Sequence, residues 1–133
     1  MVVNAIQAMP KGGVLTLHTC EEFISPPVGV PATAGGYACL HVEDTGGGMT
    51  SEDLRHAFEP FFTIKEVGSG TGLGLSVAHG IVRDHGGWIA ATSAVDKGSR
   101  FSSFVLHLNR CWRCVFGINR ESHWHVHHPR RRL

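Results

Sequence analysis

Two glycine-rich segments, at residues 44–48 and 70–74, constrain this chain more than any other feature. The first reads Asp44-Thr-Gly-Gly-Gly48 and the second Gly70-Thr-Gly-Leu-Gly74. Between them lies the segment Phe58-Glu-Pro-Phe-Phe-Thr-Ile-Lys65, and Asn4-Ala5 stands ahead of them all. Each piece alone is a weak signal, but the four pieces in this order are typical of one kind of nucleotide pocket.

The length and composition predict one soluble globular domain with one core. The chain has 133 residues, of which 42% are hydrophobic and 17% charged, and this balance excludes a disordered chain. No apolar run approaches the ~18–20 residues that a membrane helix needs, and no secretory signal pattern opens the chain. We therefore expect no membrane contact by this segment and a cytoplasmic location, and a membrane anchor elsewhere in the parent protein is left open.

Hydrophobic periodicity and turn residues predict helices packed on one face of a mostly antiparallel sheet. Helices are expected at residues 1–9, 51–58 and 71–85. Strands are expected at residues 14–18, 37–43, 88–93 and 101–108. Ser51 is the expected N-cap of the second helix.

A break in composition near residue 109 predicts a boundary between a domain at residues 1–109 and a tail at residues 110–133. The tail carries a net charge of +5 and the remainder −4. We expect this basic, His- and Arg-rich tail to be irregular. Cys111-Trp-Arg-Cys114 and the nearby histidines could hold zinc, although their spacing is poor, and the alternative is an unrelated extension.

The other two cysteines, Cys20 and Cys39, lie in apolar, strand-like segments. They are expected to be small core residues in a reducing compartment.

The first glycine segment has the chemistry to distinguish a base. A carboxylate at Asp44 can accept a hydrogen bond from the exocyclic amine of adenine, whereas guanine presents a carbonyl there. Gly46 and Gly48 lack Cβ, so their backbone can turn sharply against a flat ring. A glycine turn capped by an aspartate is the structural alternative.

The second glycine segment is expected to open a helix, so that free N–H groups and the positive dipole end face phosphate oxygens. It is not a Walker motif, because no Gly-Lys-Ser/Thr follows, and it lacks the third glycine of a dinucleotide fingerprint. A flexible linker entering a helix is the alternative. Asn4 offers a carboxamide oxygen suitable for Mg²⁺ beside phosphates.

Together these segments resemble the ATP-binding catalytic domain of two-component sensor histidine kinases, within the superfamily that includes gyrase, Hsp90 and MutL. Asn4-Ala-Ile-Gln-Ala8 is similar to the end of the N box, and residues 44–49 to the first glycine box. Residues 58–65 are similar to the F box and residues 70–75 to the second glycine box. The likeness covers about residues 1–109 and is nearest to nitrogen-regulation-type kinases.

The resemblance implies an α+β fold, a two-layer α/β sandwich of the Bergerat type with a mixed, mostly antiparallel sheet, incomplete at its N-terminus. It implies that ATP and Mg²⁺ are bound. The metal ligand would be Asn4. The ATP-binding residues would be Asp44, Gly46, Gly48, Lys65, Thr71, Gly72, Leu73 and Gly74. Residues 49–70 would form a mobile lid, anchored by Phe58, Phe61 and Phe62.

The chain departs from the family pattern at three points. The N-box helix begins late, with three residues ahead of Asn4, and Ile64 replaces a threonine. No phospho-accepting histidine is present, and His79 and His85 are expected to be structural or surface residues.

The parent protein would therefore transfer the γ-phosphate of ATP to a histidine on a missing dimerisation domain. The phosphate would then pass to the receiver domain of a response regulator. No nucleic-acid partner is expected. The alternative is a non-catalytic ATP-binding remnant or docking module, and the fragment alone is expected not to phosphorylate itself.

Overall fold

The computed structural model describes residues 1–64, 70–106 and 122–128. Three short helices and five strands make up this part of the chain. The helices are α1 (Val2–Gln7), α2 (Ser51–His56) and α3 (Gly74–Asp84). The strands are β1 (Gly13–Ile24), β2 (Gly35–Asp44), β3 (Trp88–Ala94), β4 (Gly98–Leu106) and β5 (Ser122–His128).

The five strands form one sheet in the order β3-β4-β2-β1-β5, and each pairing between them is antiparallel. In the central ladder Cys20 pairs with Cys39 and Leu17 with Val42. Side chains alternate between the two faces along a strand. This register therefore places Cys20 and Cys39 on one face of the sheet and Leu17 and Val42 on the other.

One face of the sheet carries the helices. Ala5 and Met9, in and after α1, pack with Leu15 and Val42 to form a buried cluster. Further across the sheet, α2 contacts β3, and α3 contacts β3 and β4. This arrangement confirms the predicted α+β architecture, with helices on one face of an antiparallel sheet.

The other face has a cluster of its own. Tyr37, Cys39 and Trp88 are buried there, and half-buried residues such as Phe104 and Val30 pack around them. Val30 belongs to the connection between β1 and β2, so this loop covers part of the second face.

Several element boundaries differ from the predicted ones. The N-cap of α2 is Thr50 rather than Ser51, because Thr50 and Asp53 form a reciprocal capping box. Helix α3 begins at Gly74, three residues later than predicted, since Gly72 has a φ of 65° that no right-handed helix accommodates. Strand β1 continues to Ile24, six residues beyond the predicted end.

The tail is the main correction to the fold. It was expected to be irregular, yet residues 122–128 form β5 along β1, from Ser122 opposite Thr19 to His128 opposite Gly13. Trp124 and Val126 alternate with histidines on this strand, a pattern of period two that suits a sheet. The Cys111–Cys114 pair lies outside the described residues, so its zinc hypothesis stays a prediction.

Within the described residues, no helix is long and apolar enough to cross a membrane. The longest, α3, has 11 residues.

Candidate functional site

A cavity of about 740 Å³ lies between α1, the first glycine segment, the residues after α2 and the start of α3. Its volume is within the range of roughly 300–1,000 Å³ typical of sites for small ligands. The lining comes from segments far apart in sequence. The lining residues are Met1, Val3, Asn4, Gln7, Ala8, Gly48, Met49, Ala57, Phe62, Thr63, Ile64, Gly70, Thr71, Gly72, Gly74, Leu75, Ser99 and Phe101.

The first glycine segment is held in place from both sides. The N–H of Gly47 donates to the carbonyl of Ala8, just after α1, at 3.3 Å. On the other side, the N–H of Asp96 in the β3–β4 turn donates to the carbonyl of Gly47 at 2.8 Å. The N–H of Met49 donates to the Ser93 hydroxyl at 2.8 Å. These bonds fix the loop against helix and hairpin, so its backbone forms a rigid wall of the cavity.

Close backbone contacts explain why glycine occupies two of these positions. A Cβ on Gly46 would lie 2.5 Å from the carbonyl oxygen of Ala8, and real Cβ atoms essentially never come that close to another heavy atom. Gly48 has a φ of 66°, and a Cβ there would overlap the carbonyl of Ala94. Gly47, between them, has open space around it.

Asp44 ends β2 and is buried, with 3% of its surface exposed. Its Oδ1 accepts a hydrogen bond of 2.8 Å from the N–H of Gly46. Burial raises the pKa of this carboxyl, and hydrogen bonds from the backbone of Gly46 and Ser99 oppose the rise. A carboxylate has about four acceptor positions, so these two donors leave acceptor capacity.

The second glycine segment is joined to the residues after α2 by their backbones. The N–H of Phe61 donates to the carbonyl of Gly72 at 2.9 Å. A Cβ on Gly72 would overlap the backbone of Phe61, so only glycine allows this contact. Phe61 itself has a φ of 67°.

Helix α3 begins with unused backbone donors beside the cavity. Its first i→i−4 hydrogen bond runs from the N–H of Val77 to the carbonyl of Leu73. The N–H groups of residues 74–76 precede that bond and therefore have no acceptor within the helix. They also lie at the positive end of the helix dipole.

Asn4 lies on α1 opposite the start of α3. A Cβ built on Gly74 would be 3.6 Å from Oδ1 of Asn4 and 3.9 Å from its Nδ2. These are ordinary contact distances, so the carboxamide of Asn4 lies directly beside the start of α3.

The structure brings most of the predicted site residues to one cavity. Asn4, Gly48, Thr71, Gly72 and Gly74 line it, whereas Asp44, Gly46 and Leu73 are not among the lining residues. Asp44 lies behind the wall, next to Ser99, which does line it. Lys65 lies outside the described residues.

Sequence reasoning missed several lining residues, including Ser99 and Phe101 on β4 and Met1 and Val3 at the start of the chain. Val42 pairs with Phe101, which places that ring on the helix-bearing face. The alternation of side chains along β4 was the signal in the sequence that could have placed Phe101 on this face. No local signal distinguishes Met1 or Val3, because their position depends on how α1 packs.

The three phenylalanines behave differently from one another. Phe58 packs against Phe101 and His79, as expected of an anchor. Phe62 lines the cavity and lies beside the ring of His56. Phe61 is 75% exposed, so its predicted role as a hydrophobic anchor is wrong, and its backbone makes the contact instead.

His79, in α3, is partly buried, and His85, directly after it, is exposed, which agrees with the expectation of structural or surface residues. The ring of His79 lies 5.4 Å from that of Phe58. His85, at the C-cap of the helix, places its Nδ1 2.7 Å from the carbonyl oxygen of Ile81.

Residues 1–110 match the family model described as histidine kinase-, DNA gyrase B- and HSP90-like ATPase. Individual proteins match over similar lengths. Sensor kinase CckA of Brucella abortus is 42% identical over 119 residues, which is 81% of this chain and 12% of that protein. Sporulation kinase C of Bacillus subtilis is 38% identical over 101 residues, or 76% of this chain and 20% of that protein.

Sensor histidine kinase ZraS of Escherichia coli O157:H7 is 37% identical over 105 residues, or 79% of this chain and 20% of that protein. The chain thus spans between 12% and 20% of the length of these three relatives.

Proposed function

Because this chain belongs to the family of histidine kinase-, DNA gyrase B- and HSP90-like ATPases, we propose that it is the ATP·Mg²⁺-binding part of a cytoplasmic sensor histidine kinase of the nitrogen-regulation type. The observation that carries the proposal is the shared cavity. Asn4, Gly48, Thr71, Gly72 and Gly74 come from three separate segments and line it together. A cavity of this size that joins a carboxamide, backbone donors and a glycine wall supports a ligand with a base, phosphates and a bound metal ion.

In this proposal Asp44 identifies the base. Its carboxylate is buried and keeps acceptor capacity beyond the hydrogen bonds from Gly46 and Ser99. The exocyclic amine of adenine can donate a hydrogen bond to this carboxylate. The carbonyl of guanine is itself an acceptor and could not. Gly48 supplies a stretch of cavity wall without a side chain against which the purine ring can lie, and Gly46 lets the loop approach the backbone of Ala8.

The phosphates would lie at the start of α3. Thr71, Gly72, Leu73 and the free N–H groups of residues 74–76 provide donors there, and the helix dipole adds a favourable field. Gly72 keeps the backbone of this segment close to Phe61, which fixes the direction of those donors. Lys65 is proposed as a further cation near the γ-phosphate.

The donor set fits a magnesium ion. A carboxamide oxygen is a hard ligand, and Mg²⁺ in phosphate sites usually takes one or two protein oxygens together with phosphate oxygens and water. Asn4, within a few ångströms of the start of α3, would hold the ion. A Mg²⁺ ion held there would offset the negative charge of the phosphates. The contribution of this chain is to hold the phosphates and exclude water from them.

The acceptor of the γ-phosphate would be a histidine outside this chain. The cavity lining includes no histidine among the described residues. His79 and His85 have the structural contacts given above. We propose that the parent protein carries the acceptor on a dimerisation domain and passes the phosphate on to a response-regulator receiver domain.

Titration with a fluorescent ATP analogue tests the proposal. Binding should saturate at one equivalent, strengthen with Mg²⁺, and be competed by ATP far better than by GTP. Asn4→Ala should remove the gain from Mg²⁺ while leaving metal-free binding. Asp44→Asn should weaken ATP and reduce the preference over GTP, whereas Glu43→Gln, an exposed neighbour on the other face of β2, should change neither.

Saturable binding that is equal for ATP and GTP and indifferent to Asn4→Ala would contradict the proposal. Incubation with γ-labelled ATP completes the test. The chain alone should retain no label after denaturation, and label should appear on an added dimerisation domain from a histidine kinase relative. Binding without that transfer would favour a non-catalytic module instead.

A further inference from the structure

The sheet face opposite the nucleotide cavity carries a compact group of thiol, carboxylate and imidazole side chains. They are Cys20 and Glu22 on β1 and Cys39 and His41 on β2. One potential ligand atom from each residue lies within 4.8 Å of the other three. The register explains this proximity, because Cys20 pairs directly with Cys39 and residues two apart on a strand share a face.

The separations within this Cys20 cluster suit a tetrahedral metal ion. The Sγ of Cys20 is 3.4 Å from Oε1 of Glu22 and 3.5 Å from Nε2 of His41. With metal–sulfur bonds of about 2.3 Å and metal–nitrogen bonds of about 2.0–2.1 Å, tetrahedral geometry separates sulfur from nitrogen by about 3.6 Å. The ligand atoms would need little movement to surround an ion.

His41 is already oriented as a metal ligand. Its Nδ1 is 2.7 Å from the hydroxyl oxygen of Ser102 on β4, which directs Nε2 toward Cys20. Metal-binding histidines usually hold their second ring nitrogen in such a hydrogen bond. Burial, followed by the charge of Arg100, lowers the pKa of His41, which favours the neutral imidazole that binds metals.

The surroundings are apolar on one side and open on the other. Cys39 and His41 are buried, and the stacked rings of Trp88 and Phe104, 4.8 Å apart, lie next to them. Glu22 is exposed and Cys20 half-buried, so an ion can enter from solvent. The imidazole ring of His18 also lies 5.3 Å from that of His41. The hydrophobic shell around a metal site controls how solvent reaches the ion.

We propose that Cys20, Glu22, Cys39 and His41 bind one Zn²⁺ or a similar borderline-soft divalent transition-metal ion, independently of the nucleotide. Each thiol would lose its proton to solvent as the metal–sulfur bond forms. Two thiolates and an imidazole select such ions over Mg²⁺ and Ca²⁺. The ion would join β1 to β2 on the sheet face opposite α1, α2 and α3.

Burial and the neighbouring Cys20 raise the pKa of Cys39 to about 12. The metal-free thiol therefore keeps its proton at neutral pH, and uptake of the ion should release protons and weaken as the pH falls.

Cobalt titration tests this site. The full chain is prepared with Cys111→Ser and Cys114→Ser, without a polyhistidine tag and in a phosphine reductant, so that the tail cysteines do not compete. Co²⁺ should bind at one equivalent with a thiolate-to-cobalt charge-transfer band, and Zn²⁺ should displace it. Saturating ATP and Mg²⁺ should leave the band unchanged.

Two variants in this background connect the signal to the cluster. Cys20→Ser, at a half-buried position, should weaken binding by more than the roughly 10–100-fold that loss of an outer-shell partner costs. Glu22→Gln should weaken it measurably, whereas Glu21→Gln, the neighbouring carboxylate on the opposite face, should not. Cys39→Ser is less suitable because that residue is buried and its variant could fail to fold.

The proposal is overturned if the folded, reduced chain shows no charge-transfer band. An unchanged band in Cys20→Ser, or equal losses in Glu21→Gln and Glu22→Gln, would also overturn it. A Cys20–Cys39 disulfide that persists in the reductant, detected by mass, would assign the pair to a covalent cross-link and overturn it as well.

Discussion

The first glycine segment offers a sharp test of the structure, because two neighbouring glycines should respond oppositely to the same substitution. Gly48 has a φ of 66°, and a Cβ there would overlap the carbonyl oxygen of Ala94. A Cβ on Gly47 would meet no atom within 4 Å beyond its chain neighbours, and the φ of Gly47 is not positive. Gly48→Ala should therefore destabilise the domain and Gly47→Ala should not.

The expected size follows from the contacts. A non-glycine residue in the left-handed region costs about 1–2 kcal/mol. The overlap with Ala94 is relieved only if the hairpin moves away, which breaks the 2.8 Å hydrogen bonds from Asp96 to Gly47 and from Met49 to Ser93. At about 0.5–1.5 kcal/mol for each bond, the total is about 2–5 kcal/mol.

Urea unfolding, followed by the fluorescence of the buried Trp88 and by circular dichroism, measures the difference. With a mid-range slope of about 2 kcal/mol/M, Gly48→Ala should lower the midpoint by roughly 1–2.5 M. Gly47→Ala should leave it unchanged or raise it slightly, since alanine restricts the unfolded chain. If the midpoints of the two variants lie within roughly 0.3 M of each other, the close contact between Gly48 and the Ala94 carbonyl is refuted.

Two further predictions concern single side chains. The folded pKa of Asp44 is raised by burial, so its protonation adds stability as the pH falls from neutral through the folded pKa to below the unfolded pKa, about 3.9. The free energy of unfolding of the wild type relative to Asp44→Asn should therefore increase over that pH range; a difference independent of pH would contradict the burial of this carboxyl. Thr50→Ala should lose about 1 kcal/mol because it removes the cap of α2. Ser51→Ala should lose little, and thermal unfolding distinguishes them: a larger loss for Ser51→Ala would restore the N-cap predicted from sequence.

Local sequence patterns predicted which helices and strands form better than they predicted where each one begins and ends. Alternating apolar residues identified β1, but Cys20, Glu21 and Glu22 carry no such alternation, so its extension to Ile24 was not predictable. Those residues stay in the strand because β2 supplies a partner for each. The start of α3 was misjudged because Gly72 is held in the left-handed region by its contact with Phe61, a residue eleven positions earlier.

The candidate site was predicted by motif, and its geometry depends on tertiary contacts. Asn4 and Gly74 are both recognisable in the sequence, yet only the packing of α1 beside α3 brings them within contact distance. The Cys20 cluster was not predicted at all. Sequence alone predicts Cys20 and Cys39 as small core residues and gives no role to Glu22 or His41. The pairing of Cys20 with Cys39 depends on a register that the intervening proline- and glycine-rich segment does not specify.

The placement of β5 has a practical consequence for anyone who shortens this chain. The change in composition near residue 109 suggests a truncation that removes all the residues after it. Such a cut would strip the partner from Gly13–Thr19 and leave a row of unpaired N–H and C=O groups along β1. Unpaired sheet edges of this kind pair with other chains, so the trimmed protein should aggregate during expression even if the cavity beside α1 and α3 is intact.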